Sequence, residues 1–535
     1  MTQFLIFTAV IIFTCVLLNN ASFKVGVPVL LAFILLGMFV GNDVMKIGFD
    51  NMQLASDIAS AALVFIMFYG GFGTNWATSK GVAVEAGLLA TLGVIMTAAL
   101  TGIFCHFILR WGWIEAMLMG SVISSTDAAS VFSILRSRKL GLKNGSAPLL
   151  EIESGSNDPC SYMMTIVMLS FLKGDVTAGN VVWTLVCQLG LGVLCGWLIS
   201  KGASWMLDRI KFATSGFDSL FMIAVALFSY AIPAAIGGNG YLSAYIVGIV
   251  LGNHQFKGKK EMVHFFDGFT GLMQVLIFFM LGMLAHPARL GQSLLPAFSI
   301  FLVLLFVARP LTLALLLLPF KKGRKYSFRQ QALLSVCGLR GAASIVFAIL
   351  ATVGPWTLEH DIFNIVFCIV LLSIALQGSL IPWAAKKLDM LDKDEDVMKT
   401  FNDFADDVDI QFSEFKITSG STWKSKSVKE LGLPREMLFC LLIRKDGTKI
   451  VPNGYTILQE GDTIVICSHG AKFTNQIQLQ QHRVSKGSSW IGRMVQEHPE
   501  SKNSQLLFIQ RGDEYVIPNG NTVLMDDDIL FINKS

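Results

Sequence analysis

Residues 121–130 read SVISSTDAAS and residues 149–161 read LLEIESGSNDPCS, and each stretch falls in the middle of a long apolar segment. Ser, Thr, Gly, Asn and Pro interrupt the apolar pattern there, which predicts membrane helices that unwind or bend around a polar site. Asp127, Glu153 and Asp158 lie inside these two spans, whereas Asp57, Glu85 and Glu115 fall at expected helix ends. An acid at membrane depth costs at least about 2.5 kcal/mol, so one that is kept there marks function. The deep cations are Arg309, in FVARPLTL, and Arg340, in CGLRGAAS; Pro310 disrupts the helix beside the first, and Gly338 and Gly341 beside the second. A lone Ser-Thr pair would bond back to its own helix, and a lone Asp158 would read as an ion-pair partner. Three acids and two arginines gathered in four disrupted spans point instead to a working site.

The chain around these segments is membrane-like throughout. It has 535 residues, is 53% hydrophobic and 15% charged, and has a mean hydropathy of +0.59; a soluble chain is about 25% charged. Thirteen stretches are long enough to cross about 30 Å of hydrocarbon, centred near residues 10, 34, 64, 95, 124, 161, 190, 227, 246, 278, 308, 341 and 374. The interrupted fifth and twelfth spans hold the same place in two six-span halves, with the seventh as connector. That spacing predicts an inverted repeat with two broken helices crossing at the midplane, whose half-helix ends offer carbonyls to a cation and amides to a carboxylate. With the N-terminus outside, inward loops hold 17 Lys and Arg and outward loops 4, which puts the C-terminal tail in the cytoplasm. The first 18 residues lack a basic leader and a small-residue cleavage site, so they read as the first span. A net charge of +4 gives no reason to expect a nucleic-acid partner. The nine cysteines form no CxxC pair and no Cys/His cluster, so they read as apolar packing residues and not as metal ligands.

The membrane domain is expected over 1–388. Residues 389–409 hold nine acids and two lysines and read as a solvated linker. Beyond it, STWKSKSVKELG (421–432) answers SSWIGRMVQEHP (488–499), and RKDGTKIVPNGYTILQEGDTIVI (444–466) answers RGDEYVIPNGNTVLMDDDILFI (511–532). The tail is therefore two copies of one α/β module, over 410–470 and 471–535. Each copy is expected to carry a Trp-led helix, a strand, a Pro-Asn-Gly turn and a closing hairpin.

At these residues the chain resembles the monovalent cation/proton antiporters of the first cation-proton-antiporter group, the bacterial NhaP-type exchangers of Na+ or K+ for H+. The resemblance is carried by Thr126-Asp127, the run from Glu153 through Asn157-Asp158-Pro159, GGNGYLSAYIVGIVLGN (237–253), Ala308-Arg309-Pro310 and Gly338-Leu339-Arg340-Gly341. It implies a two-bundle homodimer in the bacterial inner membrane, surrounded by lipid, that works by alternating access. Asp158 is then the carboxylate that takes either a cation or a proton, with Asn157 beside it where electrogenic relatives have a second Asp. Ser154 and Thr126 complete the ion's oxygen shell, Asp127 holds the unwound crossing, Glu153 pairs with Arg309, and Arg340 neutralises carbonyl ends at the second broken helix. One position departs from the family: relatives often read Phe-Asp-Gly-Gly in the third span, and here it is Phe68-Tyr69-Gly70-Gly71. The tail copies resemble the ligand-binding lobe of the RCK domains that regulate potassium channels and transporters, the TrkA C-terminal type. With no GxGxxG in the tail, NAD is not expected. The resemblance implies instead a regulatory nucleotide or cyclic dinucleotide, tested at Arg444, Ile450, Pro452 and Asn453 and at Arg511, Ile517, Pro518 and Asn519.

A single carboxylate that is empty, protonated or cation-bound makes the two ions compete for one charge, which yields 1:1 exchange with no net charge moved. The resulting expectation is an electroneutral K+/H+ antiporter with Na+ as the alternative cation, regulated by its tail, with no enzymatic turnover and no cofactor. A ligand-gated channel would carry a filter such as TVGYG, and an intramembrane hydrolase would carry HExxH, GxGD or a Ser with a membrane His; none is present.

Overall fold

Apolar runs broken by Gly, Pro and polar clusters fold into a series of helices, seen in a computed structural model. The residues described are all except 1, 26–28, 42–44, 46–50, 139, 175–177, 211–215, 255, 257, 318–319, 321–325, 393–409, 433–436, 446–447, 470–478, 485–489, 496–503, 512–513, 517, 519–520 and 535. Most of the acidic linker, Ile517 and Asn519 lie outside that description. In chain order the helices are α1 (Thr2–Val25), α2 (Val29–Val40), α3 (Met52–Gly73), α4 (Ala83–Phe107), α5 (Trp113–Ile123), α6 (Ala128–Ser137), α7 (Ser146–Lys173), α8 (Ala178–Arg209), α9 (Phe217–Ala235) and α10 (Gly240–Asn253). They continue with α11 (Lys259–Leu284), α12 (Leu290–Leu317), α13 (Phe328–Val336), α14 (Ala342–Thr352) and α15 (Ile362–Lys387). Seven helices among the described residues are long and apolar enough to cross a membrane: α3, α4, α8, α9, α11, α12 and α15. The chain is thus an integral membrane protein.

Two of the predicted spans are split where the sequence is least helical. Residues 124–127 separate α5 from α6, and residues 337–341 separate α13 from α14. Three others stay continuous but widen by one residue into a π turn, at Leu89–Gly93 in α4, Leu304–Ala308 in α12 and Ser373–Gln377 in α15. Such turns free backbone groups in the helix wall and recur at functional sites.

In lipid the hydrophobic effect does not drive helices together, so close backbone approach through small residues does much of the work. Gly37 of α2 lies against the Phe279 carbonyl of α11, and Gly282 of α11 lies against the Ile34 carbonyl of α2. Gly71 of α3 meets the Tyr245 carbonyl of α10, while Gly248 and Gly252 of α10 meet the Phe68 and Phe72 carbonyls of α3. A Cβ at any of these five positions would overlap backbone. Around them a continuous apolar core runs from α3 through α5 and α11 to α14 and α15, with Phe278, Phe347 and Phe367 fully buried.

At the end of α15 the chain doubles back. Strand β1 (Gly141–Leu142), in the loop between α6 and α7, pairs antiparallel with β2 (Leu391–Asp392), which follows α15. The Lys143 amide donates to the Met390 carbonyl at 2.9 Å, and Lys143 Nζ lies 3.2 Å from Asp389 Oδ1. Leu142 and Met390 are buried beneath this clasp.

The tail forms a second unit, Asp407–Ser535. Its first module holds β3 (Ile410–Lys416), β4 (Met437–Ile443), β5 (Lys449–Ile450) and β6 (Thr463–His469); its second holds β7 (Leu479–Arg483), β8 (Ser504–Arg511), β9 (Glu514–Val516) and β10 (Ile529–Lys534). The sheet orders β3-β6-β4-β5 and β7-β10-β8-β9 are the same topology. Each copy also bulges at the matching place, where the register shifts between Phe439 and Leu441 in β4 and between Leu506 and Phe508 in β8. The Trp-led helix takes another form: Trp423 sits in a run of turns, followed by a 3-10 helix, Val428–Leu431, with a Ser427/Glu430 capping box. Four residues are too few for an α-helix, and the Trp423 ring packs on Phe415 and Phe439 instead.

Candidate ion site at the crossing of two broken helices

The two interruptions meet. The Asp127 amide donates to the Leu339 carbonyl at 2.8 Å, so unwound backbone of the first break pairs with unwound backbone of the second. Gly341 is required at this crossing, because the Asp127 side chain occupies the space that a Cβ would fill. Asp127 caps α6: its carboxylate accepts from the Ser130 amide at 3.2 Å and from the Ser130 hydroxyl at 2.5 Å.

Asp158, Asn157, Ser154 and Glu153 come from one stretch of α7, and all are buried. The helix presents the first three to the first break. Ser125 Oγ donates to Asp158 Oδ1, Asn157 Nδ2 donates to Thr126 Oγ1 at 2.6 Å, and Ser154 Oγ donates to the Thr126 carbonyl at 2.7 Å. Asn157 Oδ1 has no hydrogen-bond partner among the described residues. Of the five residues named for the ion itself, Asp158, Asn157, Ser154 and Thr126 form one cluster with Ser125, while the Asp127 carboxylate turns to its own helix. Ser125 was not singled out by the sequence; its signal was its place in the polar break, one residue before Thr126.

Glu153 and Arg309 form a bidentate pair, with Nη1–Oε1 at 2.5 Å and Nη2–Oε2 at 2.9 Å, and both side chains are at most 5% exposed. Burial of this kind is tolerable only with good geometry, and the planar guanidinium supplies it. Arg340 acts differently from the expectation. It sits in the second break, but Nη1 donates to the carbonyls of Ser124 at 2.8 Å and Ser125 at 2.6 Å, which end the first half-helix, α5. The second break is served by Gln377, whose Nε2 donates to the Val336 carbonyl at 2.8 Å. Gln377 reaches it from the π turn of α15, a link no sequence pattern announced. Ser373, in the same turn, accepts from the Arg340 amide at 3.0 Å.

Tyr69, the position where the sequence departs from the pattern the resemblance often shows, donates to Asp267 Oδ1 of α11 at 3.2 Å. A carboxylate therefore reaches that neighbourhood from another helix.

In the tail, Arg444 Nη1 lies 2.7 Å from Asp462 Oδ2 and donates to the Ile457 carbonyl at 3.2 Å. Arg511 does the same in the second copy, to Asp528 at 2.7 and 2.8 Å and to the Val523 carbonyl at 2.9 Å. Both acids are buried and also accept from a backbone amide, of Gln459 and Met525 respectively. Burial alone would push the Asp528 carboxyl up, but hydrogen bonds from Arg511 and Met525 and the Arg511 charge hold it below the usual carboxylate range. Ile450 pairs in β5 and packs in the module core, whereas Asn453 turns the chain by accepting from the Tyr455 amide at 3.0 Å. Pro452 and Pro518 are half-buried.

The chain matches the family model described as sodium/hydrogen exchanger, transmembrane, over residues 9–387, and the TrkA-C domain model twice, over 412–471 and 479–532. It is 33% identical over 452 residues to a protein of Alkalimonas amylolytica named K(+)/H(+) antiporter NhaP, covering 83% of this chain and 77% of that one. It is 30% identical over 523 residues to K(+)/H(+) antiporter NhaP2 of Shewanella baltica, covering 96% and 86%. In fold it is similar to the solved sodium proton antiporter MjNhaP1 of Methanocaldococcus jannaschii, with a TM-score of 0.62 and 24% identity over 71% of this chain and 99% of that one.

Proposed function

The chain belongs to the sodium/hydrogen exchanger family, a family of cation/proton antiporters, and from that premise we propose that it exchanges K+ for H+ one for one at Asp158, with its tail as regulator. The observation that carries this reading is that Asp158 is the one carboxylate in the polar cluster at the first break, with a neutral Asn beside it and hydroxyls around it. One negative charge accepts a monovalent cation or a proton, and each cycle then carries one positive charge either way. Asn157 Oδ1, without a partner among the described residues, and the Thr126 and Ser154 oxygens are hard donors suited to an alkali cation. Asp127 contributes the capped crossing next to them. Because Arg340 satisfies the carbonyls of Ser124 and Ser125, its fixed charge balances the half-helix end while Asp158 changes occupant.

Potassium is favoured because both K(+)/H(+) antiporter relatives align well beyond the membrane domain into the tail; Na+ is the second cation. The finer fold reading is thirteen spans in two inverted halves, residues 1–388, followed by the linker and two regulatory modules. Supporting it are the two breaks, the π turns in α4 and α12, and the glycine-packed pairs α2–α11 and α3–α10, which exchange with each other under that repeat. The excess of inward Lys and Arg supports an outside N-terminus and a cytoplasmic tail in the inner membrane, and we assign a homodimer. The tail modules are read as sites for a nucleotide or cyclic dinucleotide at Arg444, Ile450, Pro452, Asn453, Arg511 and Pro518, together with Ile517 and Asn519. In that role the two arginines must present their outer faces, since their inner faces hold Asp462 and Asp528.

The test uses everted vesicles with an acid interior and a pH dye, with K+, Na+ or Li+ added and voltage clamped or free. K+ is expected to collapse the gradient in wild type whether or not voltage is clamped, and Asp158→Asn to be silent. A response to Na+ alone would keep the site and remove the potassium reading; an active Asp158→Asn would remove the site.

A further inference from the structure

We propose that Glu115, Glu359 and His360 form a site for a divalent transition-metal ion at the end of the spans remote from Lys386 and Lys387. Among the described residues this is the one place where three such side chains bring ligand atoms within 4.8 Å of one another. Glu115 sits in the first turn of α5, and its side chain is 7% exposed. Its Oε1 accepts the His360 amide at 3.0 Å, which fixes the carboxylate, and its Oε2 lies 2.9 Å from His360 Nδ1. His360 is held from the other side by Trp111, whose ring stacks on the imidazole with centroids 4.3 Å apart and planes 19° from parallel. Two donors of the type zinc selects are thus oriented before any ion arrives. Zinc holds nitrogen and oxygen at about 2.0–2.2 Å, so its ligand atoms sit roughly 3–3.5 Å apart. Glu115 and His360, at 2.9 Å, need open by only a few tenths of an ångström to reach that spacing, and the exposed Glu359 side chain closes the third position by rotating. The His360 ring is a third exposed, which leaves a face for water as a fourth ligand.

One imidazole with two carboxylates favours zinc, cobalt or nickel over calcium, because imidazole nitrogen suits those ions while calcium takes oxygen alone. The ion would tie the start of α5 to the turn that precedes α15, bracing both broken spans at one end. It is separate from Asp158, so its binding is independent of the exchange reading.

The purified full-length protein, stripped with a chelator, is titrated with Zn2+ and with Ca2+ by calorimetry, and thermal unfolding in detergent is followed in parallel. Wild type is expected to take one Zn2+ per chain with a raised unfolding temperature. His360→Ala should lose the binding and the shift, Glu359→Gln should weaken binding at least tenfold, and Ca2+ should do neither. Glu359 is exposed, so its variant folds whatever becomes of His360→Ala. The proposal is overturned if wild type binds no Zn2+, if Glu359→Gln binds it unchanged, or if Ca2+ serves equally.

Discussion

Asp158 meets its first partner, Ser125, across the gap that the broken fifth span opens. A hydroxyl can donate to the ionised carboxylate and rotate to accept from the protonated one, which suits a group that changes occupant every cycle. Ser125→Ala should therefore lower the apparent cation affinity severalfold without abolishing exchange, read as the cation concentration for half-maximal dye recovery. Asn157→Asp places a second charge beside the first, and exchange in that variant should become sensitive to membrane voltage. Tyr69 and Asp267 make a residue-scale pair of another kind: Tyr69 of α3 brings its hydroxyl to a carboxylate of α11. Asp267→Asn should raise the half-maximal cation concentration and leave the maximal rate in place, if its charge concentrates cations near the path.

Among the elements, the decisive joint is between α7 and α12. Glu153→Gln would leave the Arg309 guanidinium buried without its counter-charge, a loss of roughly 3–5 kcal/mol for such pairs. It should appear as a lower unfolding temperature in detergent, with the double change Glu153→Leu and Arg309→Met recovering much of it. The α3–α10 joint depends on backbone contact instead. Gly71→Ala should push the two helices apart and destabilise the fold, because the Tyr245 carbonyl is not free to move away. The clasp of β1 on β2 ties the loop between α6 and α7 to the segment that leads into the tail.

On the scale of the whole molecule, a membrane unit with fixed internal charges is followed by a tail unit whose second module is acid-sensitive. Since the folded Asp528 carboxyl is held below its ordinary value, its contribution to the second module is complete above about pH 4, the unfolded value. It is lost as the pH falls through the lower folded value. Hydrogen exchange of residues 504–511 should therefore accelerate at acid pH in wild type, and in Asp528→Asn should already be fast at neutral pH with no further acid step from this pair.

Much of this was legible without coordinates. Periodicity and composition determined that the chain enters a membrane, because an apolar run about 30 Å long has no other stable surroundings in water. The polar insertions at 121–130 and 149–161 marked the broken span and its carboxylates, and the 66-residue spacing of Pro452 and Pro518 marked the tail's two modules. Partner choice was not legible in the same way. Nothing in CGLRGAAS says that Arg340 reaches carbonyls 215 and 216 residues earlier, that Gln377 takes the Val336 carbonyl, or that Asp267 arrives beside Tyr69. A sequence fixes which groups need a partner, because a polar group in hydrocarbon cannot be left unpaired. Only the packed helices decide which of the distant groups is close enough to provide one.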